Sequence, residues 1–261
     1  MSVENQNQMF EITTLTAFRD NYIWGLSRRG QAAIVDPGDA GPALAWLARE
    51  GLALEAILIT HHHQDHQGGV AGVLARYPNA HVYGPGCESI TGRTRSLRGG
   101  ERFALLGVDV DVLNVAAHTR GHLAYHAGDA LFCGDTLFGG GCGRLFEGTP
   151  EDMVAALAKL AALPDATRVF CAHEYTCFCL EFALQDVEPE NLALRERLEK
   201  SRALRKAGLP TVPSTLALEK ATNPFMRVTE PQVVASARAH APDAVSAAAI
   251  LAALLAMLDA H

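Results

Sequence analysis

The residues best suited to chemistry lie in one short stretch that follows the apolar run 56–59. It holds four histidines and an aspartate within six positions: His61, His62, His63, Asp65 and His66. Neutral imidazole and carboxylate are ligands for zinc, iron or manganese. A polar loop with solvated histidines is the alternative, but packing gives no reason to place so many imidazoles together. The stretch therefore predicts a metal site.

Three further candidate ligands follow predicted strands downstream: His118, Asp135 and His173. Side chains at strand ends gather at one edge of a sheet in α/β folds, so we expect them to join the histidine stretch. A single catalytic zinc takes about three protein ligands. Five histidines and two aspartates therefore suit two ions that share a bridging carboxylate and a bridging water. By spacing, His61 and His63 can point to one ion, and Asp65 and His66 to the other.

Strands and helices alternate over the part of the chain that carries these clusters. Segments 10–18 and 22–27 are rich in β-branched and aromatic residues and predict a β-hairpin. Asp39 can cap a helix that ends at Gly51. The alternation predicts an α/β layered fold that places the chemistry at strand ends.

The pattern changes towards the C-terminus. Segments 84–100 and 139–143 are glycine-rich and predict loops, the second of them flexible. From about residue 176 no convincing strand follows and helical periods dominate. We therefore expect a catalytic domain over residues 1–175 and a small helical C-terminal domain over residues 176–261.

Composition argues against several classes of partner. The net charge of −7 disfavours nucleic acid and a polybasic membrane contact. Residues 1–8 are polar, so no export signal is expected, and the apolar run 247–258 is too short to span a bilayer. Without export, the six scattered cysteines are expected to be reduced thiols in the cytoplasm. No exposed heptad seam is present, which favours a monomer.

Taken together, the motifs resemble a known family. The H-x-H-x-D-H pattern at residues 61–66, completed by the three downstream ligands, is similar to the metallo-β-lactamase superfamily. Further stretches are similar to glyoxalase II, the hydroxyacylglutathione hydrolase family, and the resemblance runs from about residue 10 to at least residue 240. These stretches are Asp20-Asn21-Tyr22, residues 134–138, Gly141-Cys142-Gly143-Arg144, residues 173–176, residues 212–215 and residues 223–227.

The resemblance implies an αββα sandwich whose C-terminal helical domain binds substrate. It also implies two divalent ions per chain. Zinc is expected, and iron or manganese would fit the same ligands. Carried over by position, the ligands of the first ion are His61, His63 and His118. Those of the second ion are Asp65, His66 and His173, and Asp135 bridges the two.

The implied reaction is hydrolysis of a glutathione thioester. A bridging hydroxide attacks the carbonyl of an S-(2-hydroxyacyl)glutathione such as S-D-lactoylglutathione, giving D-lactate and glutathione. This is the second step of methylglyoxal detoxification. Asp65 and Asp135 are the expected catalytic carboxylates. Because the leaving thiolate is a weak base, no strong general acid is required.

Substrate contacts are implied at three positions near the ligands. Arg144 takes the place of a basic residue that contacts glutathione, and Tyr175 that of a tyrosine that hydrogen-bonds it. Phe146 stands where many relatives carry a tyrosine. Relatives also commonly end in R-x-x-K-D, whose basic residues hold the glycine carboxylate, whereas this chain has Leu255 and Leu258 there. We therefore expect weakened or altered preference for the thiol carrier.

Other activities of the same superfamily remain alternatives. The chain could hydrolyse a different acyl-thiol, or act as a persulfide dioxygenase that uses one iron. The helical C-terminal region with Asn223-Pro224-Phe225 argues against the dioxygenase. A β-lactamase is disfavoured by the expected lack of export. A metal-binding protein without catalysis is disfavoured because no ligand is missing.

Overall fold

A computed structural model describes residues 9–261. The chain divides into two compact units. Of the described residues, the first unit comprises 9–113 with 125–128, and the second 114–124 with 129–261. The expectation about an export signal concerns residues 1–8, which lie outside the described residues.

The first unit is built on a six-stranded sheet. Its strands, in order across the sheet, are β1 (Glu11–Ala17), β2 (Asn21–Arg28), β3 (Gln31–Val35), β4 (Ala53–Leu58), β5 (His81–Pro85) and β6 (Arg95–Leu97). The first three are antiparallel, as the predicted hairpin requires, and the last four run parallel. The loop prediction for residues 84–100 is wrong at residues 84–85, which end β5, and at β6. This edge strand has exposed side chains at Arg95 and Ser96, so its sequence shows no apolar alternation.

The first unit has two crossover connections, one before the histidine stretch and one that contains it. After β3, α1 (Ala40–Glu50) begins where the Asp39 carboxylate accepts the Gly41 N–H and ends at Gly51, whose φ is +63°, as predicted. After β4 come the short α2 (Gln64–Gln67) and α3 (Val70–Arg76). One core of buried side chains holds α1 and α3 against the sheet; it includes Trp46, Leu47, Ile57, Val73 and Val82.

The chain then forms a hairpin and passes into the second unit. The hairpin is β7 (Arg102–Leu105) with β8 (Val108–Asn114), and β9 (Leu123–Ala127) lies where the chain passes between the units. β10 (Ala130–Gly134) follows. The next segment is β11 (Leu137–Phe138) paired with β12 (Gly141–Cys142), both buried. The prediction of a flexible loop over residues 139–143 is therefore wrong, because this glycine run turns and forms the second strand of a packed hairpin.

The rest of the second unit is mainly helical. Its elements are α4 (Pro150–Ala161), β13 (Arg168–Cys171), α5 (Thr176–Phe182), a π-helical turn (Ala183–Val187), α6 (Leu192–Lys206), β14 (Ser214–Thr215), α7 (Leu216–Thr222), a 3₁₀ turn (Pro224–Met226), α8 (Pro231–His240) and α9 (Ala247–Ala260). β13 pairs in parallel with β10 and antiparallel with β14. The expectation that no strand follows residue 176 is wrong at β14, which is only two residues long. α4 begins with a capping box at Thr149 and packs against α9.

None of the helices within residues 9–261 is long and apolar enough to cross a membrane. The division into domains at residue 175 stays a prediction.

Candidate metal centre

The first group of candidate ligands, called the first ligand group below, comprises His61, His63, Asp65 and His66, all after the end of β4. The structure brings these four together within the first unit. His61 Nε2 lies 3.0 Å from His63 Nδ1, and His66 Nε2 lies 3.5 Å from Asp65 Oδ2. Two nitrogens bound to one ion at about 2.0–2.1 Å are separated by about 3 Å. The spacing between His61 and His63 therefore suits a shared ion.

Asp36 orients two of these imidazoles, His66 directly and His61 through Thr60. Its buried carboxylate accepts from the Thr60 N–H (2.8 Å) and hydroxyl (2.7 Å) and lies 3.0 Å from His66 Nδ1. His66 Nδ1 must therefore carry the proton, since an ionised carboxylate only accepts. The Thr60 hydroxyl, having donated to Asp36, accepts from His61 Nδ1 at 3.0 Å. Both histidines thus present an Nε2 lone pair.

Two other contacts complete the first group. Asn21 Nδ2 donates to Asp65 Oδ2 at 3.0 Å, which fixes the orientation of this carboxylate. His62 pairs instead with Glu88, with 3.2 Å between Nδ1 and Oε2. That His62 takes no part in coordination of the two ions stays a prediction.

The second ligand group comprises His118, Asp135 and His173, which the structure brings together within the second unit. Asp135 follows β10 and lies between the two histidines. Its Oδ2 is 3.5 Å from His118 Nε2, and its Oδ1 is 3.4 Å from His173 Nε2. A carboxylate that turns one oxygen to each imidazole has the arrangement expected of a bridging ligand.

A backbone carbonyl and the His122 side chain orient residues of the second ligand group. His118 Nδ1 lies 2.7 Å from the Arg144 carbonyl oxygen, which can only accept, so His118 also presents its Nε2 lone pair. His122 Nε2 accepts the Asp135 N–H at 3.1 Å, and its Nδ1 lies 3.3 Å from the Thr136 hydroxyl. His122 therefore supports a candidate ligand without belonging to the group.

The donor set of both groups fits divalent metal ions. Histidines that bind a metal through one nitrogen almost always donate a hydrogen bond from the other to a carboxylate, carbonyl or similar acceptor. His61, His66 and His118 all show this pattern. Nitrogen and carboxylate donors of this kind suit zinc, iron and manganese alike.

The three predicted substrate residues lie close to the second ligand group. Tyr175 stacks on His173, with ring centroids 4.8 Å apart and 6° between the planes. Phe146 is 63% exposed and meets the His118 ring edge to face at 5.2 Å. Arg144 is also exposed, and its guanidinium lies 2.7 Å from the Asp259 carboxylate at the end of α9. Leu255 and Leu258 are half-buried on the same helix.

The six cysteines, all within residues 9–261, form no disulfide. Four of them are buried: Cys133, Cys142, Cys171 and Cys179. Burial raises the pKa of each of these thiols, to about 12 for Cys171 and Cys179.

Sequence reasoning missed Asp36 and gave Asn21 no role. Asp36 lies at the end of β3 before Pro37 and Gly38, and Asn21 belongs to the motif Asp20-Asn21-Tyr22; neither sequence position by itself indicates an orienting role. A buried carboxylate at the end of the strand next to β4 could have suggested a partner for the histidine stretch. However, 30 positions separate Asp36 from His66, so their contact required the fold.

Comparisons with known proteins show which family the sequence matches. The sequence model of the metallo-β-lactamase superfamily matches residues 21–113 and 112–173, and the model for the hydroxyacylglutathione hydrolase C-terminus matches residues 174–260. A protein named hydroxyacylglutathione hydrolase from Dechloromonas aromatica (strain RCB) is 60% identical over 89% of this chain and 87% of its own length.

Two solved structures share the fold. The crystal structure of ETHE1 from Myxococcus xanthus has a TM-score of 0.64 and 22% identity, covering 97% of this chain and 100% of that one. TTHA1623 in a di-iron-bound form has a TM-score of 0.58 and 27% identity, covering 82% of this chain and 99% of that one.

The fold and the superfamily match define a metallo-β-lactamase-type α/β protein with a helical C-terminal region. With the C-terminal match and the identity to curated relatives, the chain belongs to the hydroxyacylglutathione hydrolase (glyoxalase II) family and is a hydrolase. The expected family and fold class are therefore confirmed. Membership and the histidine and aspartate groups also support binding of divalent metal.

Proposed function

We propose that this chain hydrolyses S-(2-hydroxyacyl)glutathione thioesters, such as S-D-lactoylglutathione, to a 2-hydroxy acid and glutathione. D-Lactate is the acid in that case, and the reaction is the second step of methylglyoxal detoxification. The observation that carries the proposal is that His61, His66 and His118 all present an Nε2 lone pair beside a carboxylate or a second imidazole, in a member of this family.

The proposed metal ligands are those expected from the sequence. His61, His63 and His118 would hold one ion, and Asp65, His66 and His173 the other. Asp135 would bridge them. We propose two zinc ions; iron or manganese fits the same donors, and the di-iron form of TTHA1623 supports iron as an option. When bound, such ions lower the pKa of a water molecule and stabilise negative charge on a carbonyl oxygen.

The side chains of this chain supply orientation and charge. Asn21 donates a hydrogen bond to one oxygen of Asp65. The other oxygen can therefore accept a proton from the attacking water and orient that water towards the substrate carbonyl. Asp135 keeps its two oxygens on two histidines and so fixes their spacing. The leaving thiolate is a weak base and departs without a strong general acid.

Substrate binding is proposed at the exposed side of the second ligand group. Arg144 would contact an anionic part of glutathione, Tyr175 would donate a hydrogen bond, and Phe146 would offer an apolar surface. Leu255 and Leu258 cannot hold a carboxylate, so we expect weak recognition of the glycine end of glutathione.

Metal analysis of the purified protein, combined with hydrolysis assays, tests the proposal. We expect two divalent ions per chain and hydrolysis of S-D-lactoylglutathione; two other acyl-thiols assayed beside it measure how far the preference for glutathione is weakened. A metal-filled protein that hydrolyses no thioester would overturn it. One iron per chain with oxygen uptake on glutathione persulfide would identify the dioxygenase alternative instead.

Location and assembly are proposed from the sequence alone. A cytoplasmic monomer fits the reduced cysteines and the absence of a heptad seam. Light scattering on the purified protein checks the mass against 27.9 kDa.

A further inference from the structure

A buried ion pair lies in the helical part of the second unit. Arg197 of α6 donates to Glu219 of α7 through both terminal nitrogens, at 2.5 and 3.0 Å, and both side chains are buried. The desolvation penalty of burying two charges offsets much of their Coulombic attraction unless further hydrogen bonds satisfy their remaining polar atoms. The other hydrogen bonds of Glu219 therefore indicate what the pair does.

Those hydrogen bonds lead to the hairpin β11–β12. Glu219 Oε2 accepts the Gly140 N–H at 2.9 Å. Asn223, one helical turn further on, donates from Nδ2 to the carbonyls of Phe138 at 3.3 Å and Gly141 at 2.9 Å, and also to Glu219. Two side chains thus fasten the hairpin backbone at one donor and two acceptors. The Ser214 hydroxyl also donates to Glu219.

The two ends of this hairpin are attached to the second ligand group. Asp135 precedes β11 by two residues. After β12, Gly143 packs against the Asp135 backbone so closely that an added Cβ would lie 1.9 Å from the Asp135 carbonyl oxygen. The next residue, Arg144, provides the carbonyl that fixes His118. Movement of the hairpin would therefore shift both Asp135 and the acceptor of His118.

We propose that Glu219 and Asn223, with Arg197 as counter-ion, are positioning residues for the metal ligands Asp135 and His118. They act through the hairpin backbone and touch neither ion nor substrate. The inference rests on the proposed ligand assignment and adds a role for the C-terminal helices in holding the metal site.

Asn223→Ser is the sharpest test variant. Asn223 Oδ1 also accepts the Phe225 N–H at 3.0 Å, and a serine hydroxyl can replace that cap. The substitution therefore removes chiefly the amide donors to the hairpin. Glu219→Gln tests the other anchor with little change of shape. The matched control is Glu188→Gln, because Glu188 is a buried carboxylate whose side-chain bonds go to Arg227, at 2.9–3.3 Å.

The measurement is zinc retained by the full-length holoprotein against a chromophoric chelator, at a temperature where circular dichroism shows every variant folded. We expect Asn223→Ser and Glu219→Gln to weaken retention about 10-fold and to lower kcat more than they change KM. Glu188→Gln should lower Tm and leave zinc retention unchanged, because the Glu188 carboxylate bonds Arg227 and not the hairpin.

Equal loss of retention in test and control variants would overturn the inference, as would test variants that lower only Tm. A wild-type protein that holds zinc and hydrolyses no thioester would overturn the proposed substrate, while the retention series would still decide this inference. A wild-type protein that holds no divalent ion would overturn both.

Discussion

The two ligand groups are oriented by different means. In the first, one carboxylate, Asp36, sets the tautomers of His61 and His66 from the adjacent strand end. In the second, the orienting acceptor is a backbone carbonyl, and the hairpin that leads to it is fastened by side chains about 80 positions away in sequence. The first group is a product of local sheet structure. The second group requires the helical region to be folded. Substitutions far from the ligands in sequence should therefore displace its side chains.

The largest effect on activity is expected from Gly143→Ala, because the added methyl group would contact the backbone of Asp135 in the second group. The new Cβ would meet the Asp135 carbonyl oxygen at 1.9 Å, and neither backbone segment can move without displacing a ligand. A misplacement of about 1 Å can cost about 100-fold in rate, so we expect kcat to fall by that order. Gly86→Ala is the control, since its added Cβ meets nothing closer than 3.4 Å. Near-normal turnover in Gly143→Ala would show that the second group tolerates displacement.

Asp36→Asn should reduce metal affinity between about 10- and 100-fold. With its oxygen on the Thr60 N–H, the new amide would donate towards Thr60 and His66 Nδ1, which drives the His66 proton to Nε2 and blocks coordination. Asparagine tolerates the left-handed backbone of Asp36, whose φ is +51°, so the fold should persist. Metal content after dialysis measures the effect. Asp39→Asn is the control, because asparagine caps a helix as well as aspartate. Unchanged metal content in Asp36→Asn would show that this carboxylate does not control the first group.

A smaller effect is expected on the substrate side, from Leu258→Lys. One charge-assisted hydrogen bond contributes about 1.5–3 kcal/mol, so KM for S-D-lactoylglutathione should fall about 10-fold or more. Hydrolysis of an acyl-thiol that lacks a carboxylate should be unchanged. Ala256→Lys, on the exposed face of α9, controls for the added charge. If both variants lower KM equally, general attraction rather than a clamp is responsible.

The smallest effect is expected from Asp259→Asn. This change releases the exposed Arg144 guanidinium, now 2.7 Å from the carboxylate, for an anionic substrate. Exposed pairs are weak, so KM should fall by less than about 5-fold, and added salt should abolish the difference. Asp165→Asn breaks the comparable pair with Lys220 as a control. A rise in KM would mean that Asp259 holds Arg144 in its binding position.

Sequence patterns could predict the elements that carry the ligands, because hairpin 10–27 and the helix capped at Asp39 depend on local propensity. They could not predict what orients the ligands. Arg197 and Glu219 look like solvated helix charges until tertiary packing buries them. The glycine run 139–143 suggested flexibility, yet an added Cβ at Gly139 would lie 2.3 Å from the Thr176 hydroxyl. Close packing, which only the fold reveals, requires the absence of a side chain there.

The buried cysteines have a consequence for self-modification. Thiolates, not thiols, attack thioesters and disulfides. With a pKa of about 12, Cys171 and Cys179 would be ionised in only about one molecule in 10⁵ at neutral pH. A thiolate in the core could otherwise attack the carbonyl of a thioester substrate, take the acyl group and release the glutathione thiolate. Burial of these sulfurs keeps the four core cysteines unreactive towards the thioester substrate, whereas Cys87 is exposed.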